Sequence, residues 1–335
     1  MPIVNLGILA HVDAGKTSLT ERILFETGVI RSVGSVDGGD TQTDTLELER
    51  ERGITIQSAL VSFHLGNRKI NLIDTPGHAD FVAEVERALL ALDAVVIVVS
   101  AVEGIQPQTR RLVRIVRSRG LPMLIFINKI DRAGARDREL LAEFRARLGL
   151  RVFAMAESAG SGSTAATVSA RDLKDPIVQH ELVDVLSESS DELVAAFLDR
   201  GTDPSRRMIR RVMHEQIRTG ELVPVYCGSA ILGVGTDLLL HGVERLLPPA
   251  PECSEAPLEG VIFKIQRTPA HEKLVYLRIR GGTIGRRDRV NFGRTTADGD
   301  SIHYEARVTA VDWFDRGNAM TVGRVEAGEI VRIHG

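Results

Sequence analysis

With 335 residues, 43% of them hydrophobic and 26% charged, the chain is long enough for two domains and apolar enough to bury real cores. Its 42 basic and 45 acidic residues leave a net charge of −3, which excludes a uniformly basic coat for nucleic acid, and 4% aromatics provide few platforms for base stacking. The longest apolar run, residues 94–99, is far short of a membrane span and the N-terminus has no charged-then-greasy leader. Cys227 and Cys253 have no metal-ligand spacing, so the expectation is a cytoplasmic protein with no membrane association and with reduced, structural thiols.

Residues 3–18, IVNLGILAHVDAGKTS, predict a short apolar strand, a turn and a helix start. A phosphate-binding loop needs consecutive backbone N–H groups facing one hollow, a lysine that reaches the outer phosphates and a hydroxyl for a bridging magnesium ion. Gly15, Lys16 and Thr17 meet those three needs, although Ala10 stands where the usual pattern has its first glycine. Leu19, Ile23 and Leu24 continue at helical spacing, and Gly28 is the expected stop. Residues 31–52 then turn polar and charged, an expected mobile segment that ends in Gly53-Ile54-Thr55-Ile56. Alternation at Ala59, Val61, Phe63 and Leu65 predicts a half-exposed strand. Ile70, Leu72 and Ile73 predict another, ending in Asp74-Thr75-Pro76-Gly77-His78, and a carboxylate at a strand's end opposite a phosphate loop can hold magnesium through water.

Phe81, Val85, Ala88, Leu89 and Leu92 fall on one helix face, and residues 94–99 read as a fully buried strand. Leu112, Val113 and Val116 mark the next helix, residues 123–127 the next strand with Asn128-Lys129-Ile130-Asp131 at its carboxyl end, and Leu140, Leu141, Phe144 and Leu148 another helix. Such alternation predicts an α/β fold, a mostly parallel sheet with helices on both faces and ligands at the carboxyl ends of the strands. Residues 154–176 turn to Ala, Ser, Gly and Thr, a composition expected of a flexible surface insertion. Two helices at 177–199 and 206–218, a strand at 223–227 leading into Gly228-Ser229-Ala230, a closing helix and a proline-rich linker complete a first domain, residues 1–250. From 251 to 335 the hydrophobic period becomes two, with Gly-rich turns, which predicts a small antiparallel β-barrel, and the stop at Gly335 just after an apolar strand suggests a barrel cut short.

The phosphate loop, Gly53-Ile54-Thr55, Asp74-Thr75-Pro76-Gly77-His78 and Asn128-Lys129-Ile130-Asp131, in that order and spacing, resemble a P-loop GTPase of the translation-factor class, and Gly228-Ser229-Ala230 resembles its purine-contacting motif. The choice of base has a physical logic: a carboxylate at Asp131 can accept from guanine N1–H and the 2-amino group, donors that adenine lacks. Leu19-Thr20-Glu21-Arg22, Gly34-Ser35-Val36-Asp37-Gly38, Thr43-Asp44-Thr45-Leu46-Glu47-Leu48-Glu49-Arg50 and Gln106-Pro107-Gln108-Thr109-Arg110 bring the resemblance to elongation factor G and, more closely, to the tetracycline ribosomal protection proteins. Elongation factor G usually has Met-Asp-Trp-Met in place of Thr43-Asp44-Thr45-Leu46. Ala10 fits this class, which commonly reads Ala-His-Val-Asp-Ala-Gly-Lys-Thr.

The resemblance implies a monomeric, ribosome-dependent GTPase that uses GTP/GDP and magnesium and contacts ribosomal RNA and proteins. It implies nucleotide binding by Asp13, Ala14, Gly15, Lys16, Thr17, Ser18, Asp74, Gly77, Asn128, Lys129, Asp131, Ser229 and Ala230, and magnesium held by Thr17, Thr55 and Asp74. His78 is expected to orient the attacking water, behind an apolar gate of Val12 and Ile54. Two further readings stay open: a translocation factor like elongation factor G, and a truncated module that holds GTP and GDP without releasing drug. Arg206, Arg207, Arg210, Arg211 and, in the barrel, Arg286, Arg287 and Arg289 could meet RNA phosphates, although a solvated surface is the favoured reading of both groups.

Overall fold

The computed structural model describes residues 1–34, 59–75, 81–200, 204–251, 253–267, 272–295 and 301–334; Ile54, Thr55, Gly77 and His78 lie outside the described residues. Strand β1 (Ile3–Ala10) pairs in parallel with both β3 (Arg68–Asp74) and β4 (Ala94–Ser100). The sheet continues in parallel through β5 (Met123–Asn128) and β9 (Leu222–Cys227) to β6 (Arg151–Ala154), and β2 (Ala59–Leu65) closes the other edge as its antiparallel strand. Its seven strands therefore run in the order β2-β3-β1-β4-β5-β9-β6. Every residue of β4 and β5 is buried, because continuous apolar runs can only be satisfied in a sheet covered on both faces. At the β2 edge burial is only partial, as its alternating sequence requires.

The covering helices are α1 (Lys16–Glu26), α2 (Val82–Leu89), α3 (Pro107–Ser118), α4 (Asp137–Leu148), α5 (Pro176–Ser187), α6 (Asp191–Arg200), α7 (Arg206–Arg218) and α8 (Thr236–Leu246). In α7 Ile209, Val212, Met213 and Ile217 are buried while Arg206, Arg207, Arg210 and Arg211 face solvent, which is the amphipathic pattern of a surface helix. Its Ser205 Oγ accepts from Met208 N–H at 3.3 Å and caps the first turn. Residues 154–176, expected as a flexible surface insertion, contain an antiparallel hairpin of β7 (Ala156–Ala159) and β8 (Thr167–Ala170). Small side chains build it, with Ala156, Ser158 and Ala166 buried and Ser158 Oγ donating to Asp137.

Beyond these elements all pairing is antiparallel. Strands β10 (Glu259–Arg267), β11 (Lys273–Gly281), β18 (Ile330–His334), β15 (Ala310–Asp315) and β16 (Asn318–Val322) form one sheet in that order. Two further ladders join β12 (Thr283–Gly285) to β17 (Arg324–Glu326) and β13 (Arg289–Thr295) to β14 (Ser301–Arg307). Ile279, Ile284, Val311 and Val331 centre a second apolar cluster between them.

A buried polar seam joins the two sets of strands. Asn5 N–H and Nδ2 donate to Asp93 Oδ2 at 2.9 and 2.6 Å, and the other oxygen of Asp93 meets Arg278 at 2.9 Å. Lys69 Nζ lies 2.8 Å from both oxygens of Glu329, which also accept from Asn71 Nδ2 at 3.3 Å and Trp313 Nε1 at 2.7 Å. No helix of the described residues is long and apolar enough to cross a membrane.

Candidate functional site

The carboxyl ends of β1, β3, β5 and β9 deliver four loops to one edge of the sheet. After β1 the chain turns through Asp13 at φ 63° and Gly15 at φ 90°, both left-handed, before α1 begins at Lys16. A Cβ on Gly15 would stand 2.2 Å from Asn128 Nδ2, so only glycine lets this loop close on β5. The first turn of α1 carries no acidic residue of its own, so the positive end of its dipole suits an anion. Lys16 is buried, with Nζ 2.5 Å from Asp74 Oδ1 at the end of β3. Thr20 Oγ1 lies 3.4 Å from the same carboxylate oxygen, and Thr75 Oγ1 donates to Ile8 O at 2.9 Å, fixing the end of β3 against β1.

At the end of β5, Asn128 is 3% exposed and bridges two loops: its Nδ2 donates to Ala14 O and its Oδ1 accepts from Ala230 N–H, each at 2.9 Å. Its amide, expected to contact a base, thus holds the phosphate loop to the turn after β9. Lys129 has a φ of 67° and an ammonium 3.3 Å from Glu103 Oε1; Asp131 lies 3.6 Å from Arg132 Nε. The backbone of residues 228–235 is folded tightly, Ser229 N–H donating to Val234 O at 2.9 Å, while Arg22 Nε donates to Ala230 O at 2.9 Å. The amides of Ser229 and Ala230, expected to meet a purine oxygen, therefore both donate within the protein, and a contact from either to a base would be a shared one.

Val12 is 40% exposed at the rim of the loop. Beneath it lies a residue to which the sequence assigned no role: His11 is buried, its Nδ1 3.0 Å from Thr109 Oγ1 and its Nε2 without a hydrogen-bond partner. Burial pushes the His11 pKa below its ordinary value, against the opposing pull of Glu103. Arg22 is likewise a missed residue; both it and Thr109 belong to strings that mark the family resemblance, and that was their only signal.

Among the described residues no three His, Cys, Asp or Glu side chains cluster as metal ligands. The donors that the loop does offer, a Thr17 hydroxyl and the Asp74 carboxylate, are hard oxygens few in number. They fit magnesium, which keeps several waters and takes its remaining ligands from phosphate. Cys227 is buried and its thiol pKa is pushed up to about 12, so it has no thiolate character, as expected of a structural cysteine. On the outer surface Arg206 donates to Lys174 O, Arg211 pairs with Glu192 and Arg289 pairs with Glu305.

Residues 1–249 match the family model of the elongation factor Tu GTP binding domain. The chain is similar to an oxytetracycline resistance protein of Streptomyces rimosus, 46% identical over 333 residues that make up 99% of this chain and 50% of that protein. It is also similar to the tetracycline resistance protein TetP of Clostridium perfringens, 41% identical over 99% of this chain and 50% of that protein, and to TetM of Streptomyces lividans, 42% identical over 98% and 51%. A solved structure from Thermus thermophilus shares the fold, with a TM-score of 0.81 at 24% identity over 99% of this chain and 52% of that one. The chain spans about half the length of the curated relatives it matches. The α/β sheet followed by antiparallel strands is the fold expected from the sequence, and with its family model matched across that sheet the chain belongs to the elongation factor Tu GTP-binding-domain family.

Proposed function

We propose that this chain is the GTP-binding and GTP-hydrolysing N-terminal portion of a ribosome-dependent tetracycline resistance protein of the ribosomal protection kind. In this reading residues 1–250 are the nucleotide domain and residues 251–335 part of a translation-factor-type barrel, in a monomeric cytoplasmic protein. The observation that carries it is the meeting of Lys16, Asp74 and Asn128 at one edge of a parallel sheet, with relatives named for tetracycline resistance along nearly the whole chain.

The loop amides from Asp13 to Ser18 and the Lys16 ammonium bind the β- and γ-phosphates, Lys16 exchanging its carboxylate partner for phosphate oxygens. Magnesium supplies charge neutralisation between those phosphates, and Thr17, Thr55 and, through water, Asp74 would hold it. Asp131 accepts from guanine N1–H and the 2-amino group, Lys129 lies along the base, and Asn128 keeps the phosphate side and the base side at a fixed separation. Gly77, three residues after Asp74, belongs to the same nucleotide-binding set. His78 orients the attacking water once Val12 and Ile54 part, and ribosomal RNA and proteins cause that rearrangement.

The test is uptake of fluorescent GDP, GTP and ATP analogues by the purified chain, followed by phosphate release with and without 70S ribosomes. Selective guanine binding with turnover raised by ribosomes is expected; equal uptake of ATP, or turnover indifferent to ribosomes, overturns the reading. With the full-length protein, rescue of tetracycline-inhibited translation is expected. Rescue of a translocation-deficient extract instead would favour a translocation factor like elongation factor G.

A further inference from the structure

We infer that the turn Gln106-Pro107-Gln108-Thr109 at the start of α3 is a brace for the phosphate loop, and that Thr109 and His11 are positioning residues for nucleotide binding. The inference rests on the nucleotide reading above and adds to it residues that touch neither base nor phosphate.

The turn is built to be stiff. Pro107 occupies the first turn of α3, where its fixed φ suits the helix and its missing N–H costs nothing. Gln106 N–H donates to Thr109 Oγ1 at 3.3 Å, and Gln106 Nε2 donates to Glu103 O at 2.8 Å. Thr109 Oγ1 also lies 3.0 Å from His11 Nδ1, a hydrogen bond that either tautomer of the neutral imidazole makes, because a hydroxyl both donates and accepts. One residue earlier on α3, Gln108 Oε1 accepts from Val12 N–H at 3.2 Å. Two consecutive residues of the loop are therefore held by two consecutive residues of the helix.

What they hold has little to hold itself. Asp13 and Gly15 are left-handed, so the loop is not part of any regular ladder. Ala14 N–H donates to His11 O at 3.2 Å, and Ala14 O is the group that Asn128 grips, so displacement of His11 passes directly to the amides around Lys16. On its other side His11 Nε2 faces Glu103 Oε2 at 3.8 Å, and the second oxygen of Glu103 lies 3.3 Å from Lys129 Nζ. Glu103 thus stands between the phosphate side and the base side of the site. Thr109 is 0% exposed and His11 4%, which keeps water from replacing the bond between them.

The experiment measures release of a fluorescent GDP from this chain by stopped flow, beside a urea unfolding midpoint for each variant. Thr109→Val keeps the shape and removes the hydroxyl; Thr109→Ser restores it. Thr109→Val should release GDP about fivefold faster, the worth of one buried hydrogen bond, and Thr109→Ser should return within about twofold of the parent. Release from Thr109→Val at the parent rate overturns the inference even when the urea midpoint falls, because that is what a merely structural threonine would do. If Thr109→Val does not fold, Gln108→Ala takes its place in the same assay, and parent-rate release from it is equally fatal. A parent chain that takes up no GDP would instead sink the nucleotide reading itself, and the brace with it.

Discussion

Asn128 is the side chain on which two loops of the site meet, and replacing it by alanine tests the arrangement most directly. Both bonds of its amide, to Ala14 O and from Ala230 N–H, are 2.9 Å long and made by a side chain only 3% exposed. Alanine leaves a buried carbonyl and a buried N–H without those partners, each costing about 1–3 kcal/mol. Water can enter a polar gap of that size and satisfy part of the loss, so the net destabilisation expected is roughly 2–4 kcal/mol. Asn128→Asp keeps the acceptor for Ala230 but turns an oxygen toward the Ala14 carbonyl, exchanging a hydrogen bond for repulsion. Urea unfolding gives the stability change, and titration with fluorescent GDP should show affinity falling more than about tenfold, because phosphate loop and base-side turn lose their common anchor together. A midpoint shifted by less than about 0.5 kcal/mol in Asn128→Ala, with GDP affinity intact, would refute the bridge.

Glu329→Ala leaves the Lys69 ammonium, 1% exposed, without its carboxylate and should cost about 3–5 kcal/mol in thermal or urea unfolding. Burial holds the Lys69 pKa below its ordinary 10.5, so between the lowered folded value and 10.5 the unfolded chain binds the extra proton and this group's contribution to stability rises with pH; subtracting the profile of Lys69→Met should expose that slope, and an alkaline difference that falls would contradict it. Asp131→Ala removes a charge-assisted acceptor worth about 1.5–3 kcal/mol and should weaken GTP roughly ten- to a hundredfold while ATP uptake stays where it was, so an unchanged preference for GTP would remove Asp131 from base selection. His78→Ala should leave GTP affinity nearly intact and abolish ribosome-stimulated phosphate release; unaltered turnover would take His78 out of the mechanism.

The strands of the parallel sheet were legible because their residues leave little choice. AVVIVVS and MLIFIN cannot sit anywhere but between two layers, and MLIFIN runs into Asn128, Lys129 and Asp131, polar residues of the kind a carboxyl-end loop needs. β6 was not legible: four residues, RVFA, carry too short a pattern, and its place beyond β9 is decided by pairing with a strand about seventy residues later. The β7–β8 hairpin escaped for a different reason, since its Ala and Ser positions are buried by fit with α4 rather than by their own hydrophobicity. Within the site Lys16, Asp74 and Asp131 announce themselves by residue type at strand ends. The bridging done by Asn128 does not, because its partners are backbone groups 114 and 102 residues away, and a backbone group leaves no mark in a sequence.

The seam between the parallel sheet and the later strands shows why a polar contact suits this place. Asn5 lies on β1 and Lys69 and Asn71 on β3, the two strands whose far ends carry the phosphate loop and Asp74. From Asn71 to Asp74 is about 10 Å along a strand, a short and stiff lever. An apolar seam would bind as tightly but permit sliding, whereas the pairings of Glu329 with Lys69, Asn71 and Trp313, and of Asp93 with Asn5 and Arg278, are met in only one registry. Lys69→Met with Glu329→Leu separates the two properties: stability should recover most of what Glu329→Ala loses, while the fixed docking is relaxed. Trp313, the chain's single tryptophan, reports on this directly, because the Lys69 ammonium stands 3.9 Å from its ring centre. In the double variant its emission should shift and broaden and GDP release should become faster, although no residue of the nucleotide site has changed. Emission and release both at parental values, in a protein of parental stability, would mean that the seam is only packing.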